Sequence, residues 1–232
     1  MDYFCQAPLA QELVHPFSLA YAMCFAGMLC QLCRDVQAAQ ARATAVMAFC
    51  TEQGFALYLA RGTILQGWAI AEQGQGAAGL AQMCQGLVAY QATGAAVFRS
   101  YYLAFLAEAY GKLGQAGEGL TMLDEALTTV HKTGERFCEA ELYRLKGELL
   151  LARSAENYGE AEACFQQALT VARRQQAKSW ELRAAMSLSR LWQHQGKHQE
   201  AYDLLAPVYG WFTEGFDTLD LQTAKALLEA LS

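Results

Sequence analysis

The sequence predicts an all-α protein: a right-handed α-solenoid of about five helical hairpins, with a period of about 40 residues and a C-terminal capping helix. Three observations carry this. A small residue recurs as Gly27, Gly67, Ala107, Gly147 and Ser189, at intervals of 40, 40, 40 and 42. Glycines also stand in register: Gly54, Gly94 and Gly134 close successive units, and Gly74, Gly114 and Gly196 fall at the turn inside a unit. A glycine at each of these places ends a helix in the left-handed conformation at no steric cost. Finally, the composition is 54% hydrophobic with only 3 prolines among 232 residues, which suits packed helices and argues against disorder.

Leu103–Gly134 is the clearest copy, with Leu106, Ala107 and Tyr110 ahead of Gly114, then Gly119, Leu123, Ala126 and the closing Gly134. Large and small apolar residues at helical spacing let two short antiparallel helices approach closely. The second helix of each unit carries Ala39, Gly79, Gly119, Ala161 or Ala201. Four residues later stands Ala43, Met83, Leu123, Phe165 or Leu205, and three further on Val46, Gly86, Ala126, Ala168 or Val208. This order is the tetratricopeptide (TPR) pattern, stretched from its usual period of about 34 residues; a HEAT-like array is the structural rival.

In chain order, residues 1–16 read as a half repeat, because Gln6–Val14 matches the end of a second helix whose first helix is missing. Residues 17–54, 55–94, 95–134, 135–178 and 179–215 are the repeats, within a single domain spanning 1–232. Arg34-Asp35 replaces the turn glycine of the first repeat, and the fourth carries two extra turn residues around Arg153–Asn157. In the fifth, Pro207 should kink or break the second helix. Residues 216–232 form the cap: Asp217 or Thr218 precedes a helix over Leu219–Leu231 whose stripe is Leu221, Ala224, Leu227, Leu228 and Leu231, with Lys225 and Glu229 facing water. The unpaired half repeat exposes an apolar face, so either the chain continues a longer array or it self-associates there.

Three runs resemble a known bacterial family: Gly134–Leu151 (GERFCEAELYRLKGELLL), Ala161–Arg174 (AEACFQQALTVARR) and Leu205–Asp217 (LAPVYGWFTEGFD). Together they resemble the C-terminal TPR region of multidomain bacterial adenylate/guanylate cyclases and LuxR-type signalling ATPases. There, a cyclase or DNA-binding domain precedes a P-loop ATPase module. The resemblance implies a regulatory, protein-binding or sensor array with upstream ATPase or cyclase domains as partners. It implies no cyclase activity here, and the cysteine-rich first repeat departs from the pattern.

Charge and motifs narrow the function further. A net charge of -6 excludes a basic face for nucleic acid. Residues 1–96 hold eight charged side chains: Asp2, Glu12, Arg34, Asp35, Arg42, Glu52, Arg61 and Glu72. The eight cysteines (5, 24, 30, 33, 50, 84, 138, 164) lie among Ala, Leu and Phe and read as reduced thiols of a cytoplasmic protein. No signal peptide is apparent, and the longest apolar run, Ser18–Cys33, is too short to span a bilayer.

Gly74, Gly76 and Gly79 spell G-x-G-x-x-G, but a helix precedes them where a dinucleotide site needs a strand. There is no P-loop, G-x-S-x-G or H-E-x-x-H. Cys30 and Cys33 have no second pair, and His194 and His198 straddle a turn, so no metal site is expected. No catalytic residue and no cofactor are assigned, and the chain reads as a non-enzyme.

The remaining candidate is the groove lined by the first helices. Its residues are Arg61, Trp68 and Glu72 in the second repeat, and Tyr101, Glu108 and Lys112 in the third. The fourth gives Glu141, Arg144 and Glu148, and the fifth Arg183, Arg190 and His194. Mixed charge with two aromatics could clamp a protein or peptide ligand; an ordinary solvated surface is the alternative for these positions. The function expected is a non-catalytic protein- or peptide-binding module, with a small-molecule sensor controlling an attached ATPase or transcription regulator as the second reading.

Overall fold

The computed structural model describes residues 15–232; the half repeat expected over 1–16 falls almost wholly outside them, as does Cys5. Every regular element among the described residues is helical. None of these helices is long and apolar enough to cross a membrane. The chain divides into two compact units, one ending at Val97 and one running from Phe98 to Ser232.

The first unit holds two hairpins, α1 (Pro16–Leu32) with α2 (Val36–Gln53) and α3 (Ala56–Glu72) with α4 (Gly76–Ala92). Pro16 opens α1 where its missing N–H is no loss, and the ring of His15 accepts the Ser18 amide at 3.2 Å. Asp35 caps α2 by accepting the Ala38 amide at 3.0 Å. The α3–α4 pair shows why the repeat keeps small residues in register. A Cβ added at Gly79 would lie 2.5 Å from the Gly67 carbonyl oxygen and 2.5 Å from the Ala71 nitrogen, so the two backbones touch there.

The second unit holds α5 (Arg99–Lys112) with α6 (Ala116–Thr133), α7 (Glu139–Arg153) with α8 (Tyr158–Arg174), and α9 (Lys178–His194) with α10 (His198–Tyr209), then α11 (Leu219–Leu231). The same small-residue contact recurs in altered chemistry. Gly119 lies against the Ala107 carbonyl, Gly147 lies under the Phe165 ring, and the Ser189 hydroxyl donates to the Ala201 carbonyl at 3.0 Å. Leu103, Leu123, Leu142, Phe165, Leu188 and Leu205 are fully buried between the helices, each contributing about 1.5–3 kcal/mol by leaving water.

The expected turn glycines 54, 74, 94, 114, 134 and 196 all have φ between 72° and 89°. Where the register lacks glycine the conformation persists: Arg34 has φ 58°, and Gln176, 42 residues after Gly134, has φ 55°. The turn of the lengthened repeat is a 3-10 segment, Ala155–Asn157. Pro207 is accommodated inside α10, which ends at Tyr209. On α11, Leu221, Ala224, Leu227 and Leu231 are buried while Lys225 and Glu229 face solvent. Thr218 precedes the helix, but its hydroxyl donates back to the Gly215 carbonyl and caps nothing.

Candidate functional site

In the first unit the candidates are the three residues of α3. Arg61 is buried, its guanidinium 4.9 Å above the Phe25 ring. Trp68 is buried and Glu72, the last residue of α3, is half-buried. Burial pushes the Cys24 thiol up to about 12 against the opposing pull of Arg61, so it stays protonated and inert at neutral pH.

In the second unit α5 carries Tyr101, Glu108 and Lys112. Tyr101 is packed edge-on to Phe105 at 4.5 Å, and Lys112 pairs with Glu108 at 3.2 Å. The strongest polar chemistry lies on α7 and α9. The Arg144 guanidinium is buried and holds Glu141 by two bonds, 2.7 and 2.8 Å. It also reaches Glu148 at 3.3 Å and the Ser187 hydroxyl at 3.4 Å, and Ser187 donates to Glu148 at 2.7 Å. Burial alone would lower the Arg144 pKa, but Glu141, Glu148 and Glu108 hold it above its ordinary value.

Arg183 extends the same network. It donates to Asp220 of α11 at 2.6 Å, lies 3.7 Å from Glu141 and stacks over the Trp180 ring at 4.9 Å. The polar chain therefore runs Glu148–Arg144–Glu141–Arg183–Asp220 and ties three helices together. Arg190 is half-buried and His194, at the end of α9, is exposed; His198 opens α10. Within this network the Glu148 side chain is 41% exposed, and on α5 Lys112, paired with Glu108, is 44% exposed.

A second ionic cluster lies at the start of α7 and α9. Glu139 pairs with Arg136 at 3.0 Å and Arg174 at 3.4 Å, and Glu181 with Arg173 at 2.9 Å and Lys178 at 2.7 Å. The Trp180 indole donates to the Phe137 carbonyl at 3.0 Å. Burial would raise the Glu181 carboxyl, but its bonds to Lys178 and Arg173 hold it below the usual range.

Two members of the main network escaped the sequence reading. Ser187 stands 42 residues after Leu145, and a hydroxyl at a core position of the repeat is the signal that marks it. Asp220 precedes the buried Leu221 of the capping helix, and no periodicity points to it.

No protein-family model matches the chain, and no curated protein matches it by sequence. Among solved structures it is similar to a Rap protein complexed with competence and sporulation factor, at 18% identity and a TM-score of 0.74, over 97% of this chain and 67% of that one. It is also similar to nearly identical TPR-like repeats assigned to a Podosopora anserina kinesin light chain. One structure of these, a point-substituted form, gives 20% identity and a TM-score of 0.57 over 84% of this chain and 95% of that one. A second gives 20% identity and a TM-score of 0.55 over 85% and 96%. At such identities the likeness is one of fold, and with the all-helical architecture it defines a TPR-like α-solenoid protein.

Proposed function

We propose that the chain is a non-catalytic module that binds a protein or peptide segment along the first helices of its hairpins. The observation that carries this reading is the network on α7 and α9. Its buried arginines fix the geometry while Glu148 keeps polar atoms open to solvent, as Lys112 does on α5. Side chains locked before a ligand arrives lose little freedom on binding it, which is what a recognition surface requires. The Rap protein, shown with competence and sporulation factor, is a precedent for a chain of this fold in complex with another molecule.

The resemblance of Gly134–Leu151, Ala161–Arg174 and Leu205–Asp217 to signalling ATPases and nucleotide cyclases supports a finer setting. In that setting the module is the regulatory C-terminal part of such a protein, acting in the cytoplasm of a bacterium.

Peptide-library selection on the immobilised chain tests the proposal, followed by titration calorimetry of the enriched sequences against Lys112→Ala, Glu148→Ala and Arg190→Ala. At least one variant should weaken binding about tenfold or more. Failure to enrich any sequence, or equal binding by all three variants, would overturn it. A rise in melting temperature with a metabolite, and none with peptides, would instead support the small-molecule sensor.

A further inference from the structure

Within the second unit, two successive hairpins carry the same cations at the same place. Lys132 and Arg136 flank the turn from α6 to α7, and 42 residues further on Arg174 and Lys178 flank the turn from α8 to α9. Glu139 and Glu181 keep the same interval, which is also that from Gly147 to Ser189. One repeat earlier the two cation positions hold Ala92 and Ala96, and the turn after α10 carries Glu214 and Asp217 instead. The basic edge is therefore confined to these two hairpins.

Burial separates the two signs. The Glu139 and Glu181 side chains are only 3% and 6% exposed, whereas those of Arg173 and Arg174 are 53% and 61% exposed. Each carboxylate answers two cations, Glu139 with Arg136 and Arg174, and Glu181 with Arg173 and Lys178. Four positive heads over two buried negative ones leave an excess of positive charge facing water. The carboxylates also hold those heads still. Arg173 engages Glu181 through Nε, and Arg174 engages Glu139 through one terminal nitrogen, which leaves further N–H groups on each exposed fork to meet an anion. Gln175 donates to the Arg136 carbonyl at 2.7 Å and pins the α6–α7 turn to the end of α8.

We infer that this edge binds an extended acidic peptide segment of a partner protein, running from the α6–α7 turn to the α8–α9 turn. Neighbouring helices pack at about 8–10 Å, and an extended chain advances about 3.3–3.6 Å per residue. Carboxylates about three residues apart therefore meet the cations of successive hairpins. So small a charge excess suits a few carboxylates and falls short of the roughly six to ten phosphates that a nucleic-acid site neutralises. The inference does not rest on the groove of the first helices, and the selection described above can fail without touching it.

Fluorescence anisotropy of a fluorescein-labelled (Glu-Gly-Ser)4 peptide, titrated with the full chain at 50 and 200 mM NaCl, tests this. A (Gln-Gly-Ser)4 peptide and a twelve-nucleotide oligothymidylate run alongside. Saturable binding of the acidic peptide alone is expected, weaker at the higher salt. Arg173→Gln with Arg174→Gln should weaken it about tenfold or more, and Lys132→Gln about threefold. Lys225→Gln, the same loss of one charge on α11, should leave it unchanged. Lys178 lies 5.7 Å from the ring of Trp211, which is exposed, so binding should alter tryptophan emission in the wild type and not in Trp211→Phe. No binding of the acidic peptide, equal binding of either comparison probe, or equal weakening by Lys225→Gln would overturn the inference. Should circular dichroism show that the double arginine variant does not fold, Lys132→Gln, at an exposed position in the last turn of α6, decides alone: unchanged binding overturns the inference.

Discussion

Replacing Arg144 by Met should be the most damaging single change in the polar network, and its reversal is the informative part. Arg144 and Glu141 are both buried and joined by two bonds of 2.7 and 2.8 Å. Removing the guanidinium strands a carboxylate whose nearest remaining cation is Arg183, at 3.7 Å. Breaking a buried pair this way costs about 3–5 kcal/mol. The residual help of Arg183 places Arg144→Met toward the lower end, near 3 kcal/mol.

Replacing both partners, Glu141→Leu with Arg144→Met, removes the stranded charge and fills the space with apolar atoms. The double variant should lie within about 1–2 kcal/mol of the wild type, and so recover about 1–2 kcal/mol of what Arg144→Met loses. Urea unfolding followed by far-ultraviolet circular dichroism measures all three proteins on one scale. A double variant no more stable than Arg144→Met would refute the reasoning, because the loss would then come from packing and not from an uncompensated charge.

Four further outcomes follow from the same geometry. Gly79→Ala should lose about 2 kcal/mol or more, since its methyl would meet two backbone atoms at 2.5 Å, and denaturant midpoints will show it. Gly117→Ala, in α6 with nothing within 4 Å of the added carbon, should gain up to about 0.8 kcal/mol by the same measurement. Gln176→Gly should gain about 0.5 kcal/mol, because relief of the positive φ outweighs the added freedom of the unfolded chain. For Glu181 the folded carboxyl is lowered, so its contribution is fully present above the unfolded carboxylate range and disappears as pH falls through the lowered value. The stability gap between wild type and Glu181→Gln should therefore be constant near neutrality and close in acid; a gap that widens in acid would refute the assignment.

The fold was legible because its punctuation is local. A glycine that must take positive φ announces itself, and Gly54, Gly74, Gly94, Gly114, Gly134 and Gly196 all do. Arg34 and Gln176 take the same conformation without glycine, and only the register, not the residue type, marks them. Phe98 is a different case. It adopts φ 67° ahead of α5, where its amide donates to the Glu135 carboxylate at 2.8 Å. That contact joins residues 37 apart, so no local pattern contains it.

The candidate site was legible as a set of positions and not as a set of partnerships. The repeat offset names Glu141, Arg144, Glu148 and Arg183 one by one. Their burial, and their linkage through Ser187 and Asp220, depend on how neighbouring helices meet.

The chain of charges from Glu148 to Asp220 also bears on how the second unit comes apart. In a one-dimensional stack each element touches only its neighbours, and a terminal helix is free to fray by itself. Here α11 is pinned to α9 by Asp220, and α9 to α7 by the Arg144 and Arg183 bonds, so melting the terminal helix leaves a buried arginine without its closest anion. The last two hairpins and α11 should therefore open as one step, and amide hydrogen exchange across α7, α9 and α11 should report a shared opening energy in place of a gradient toward the C-terminus.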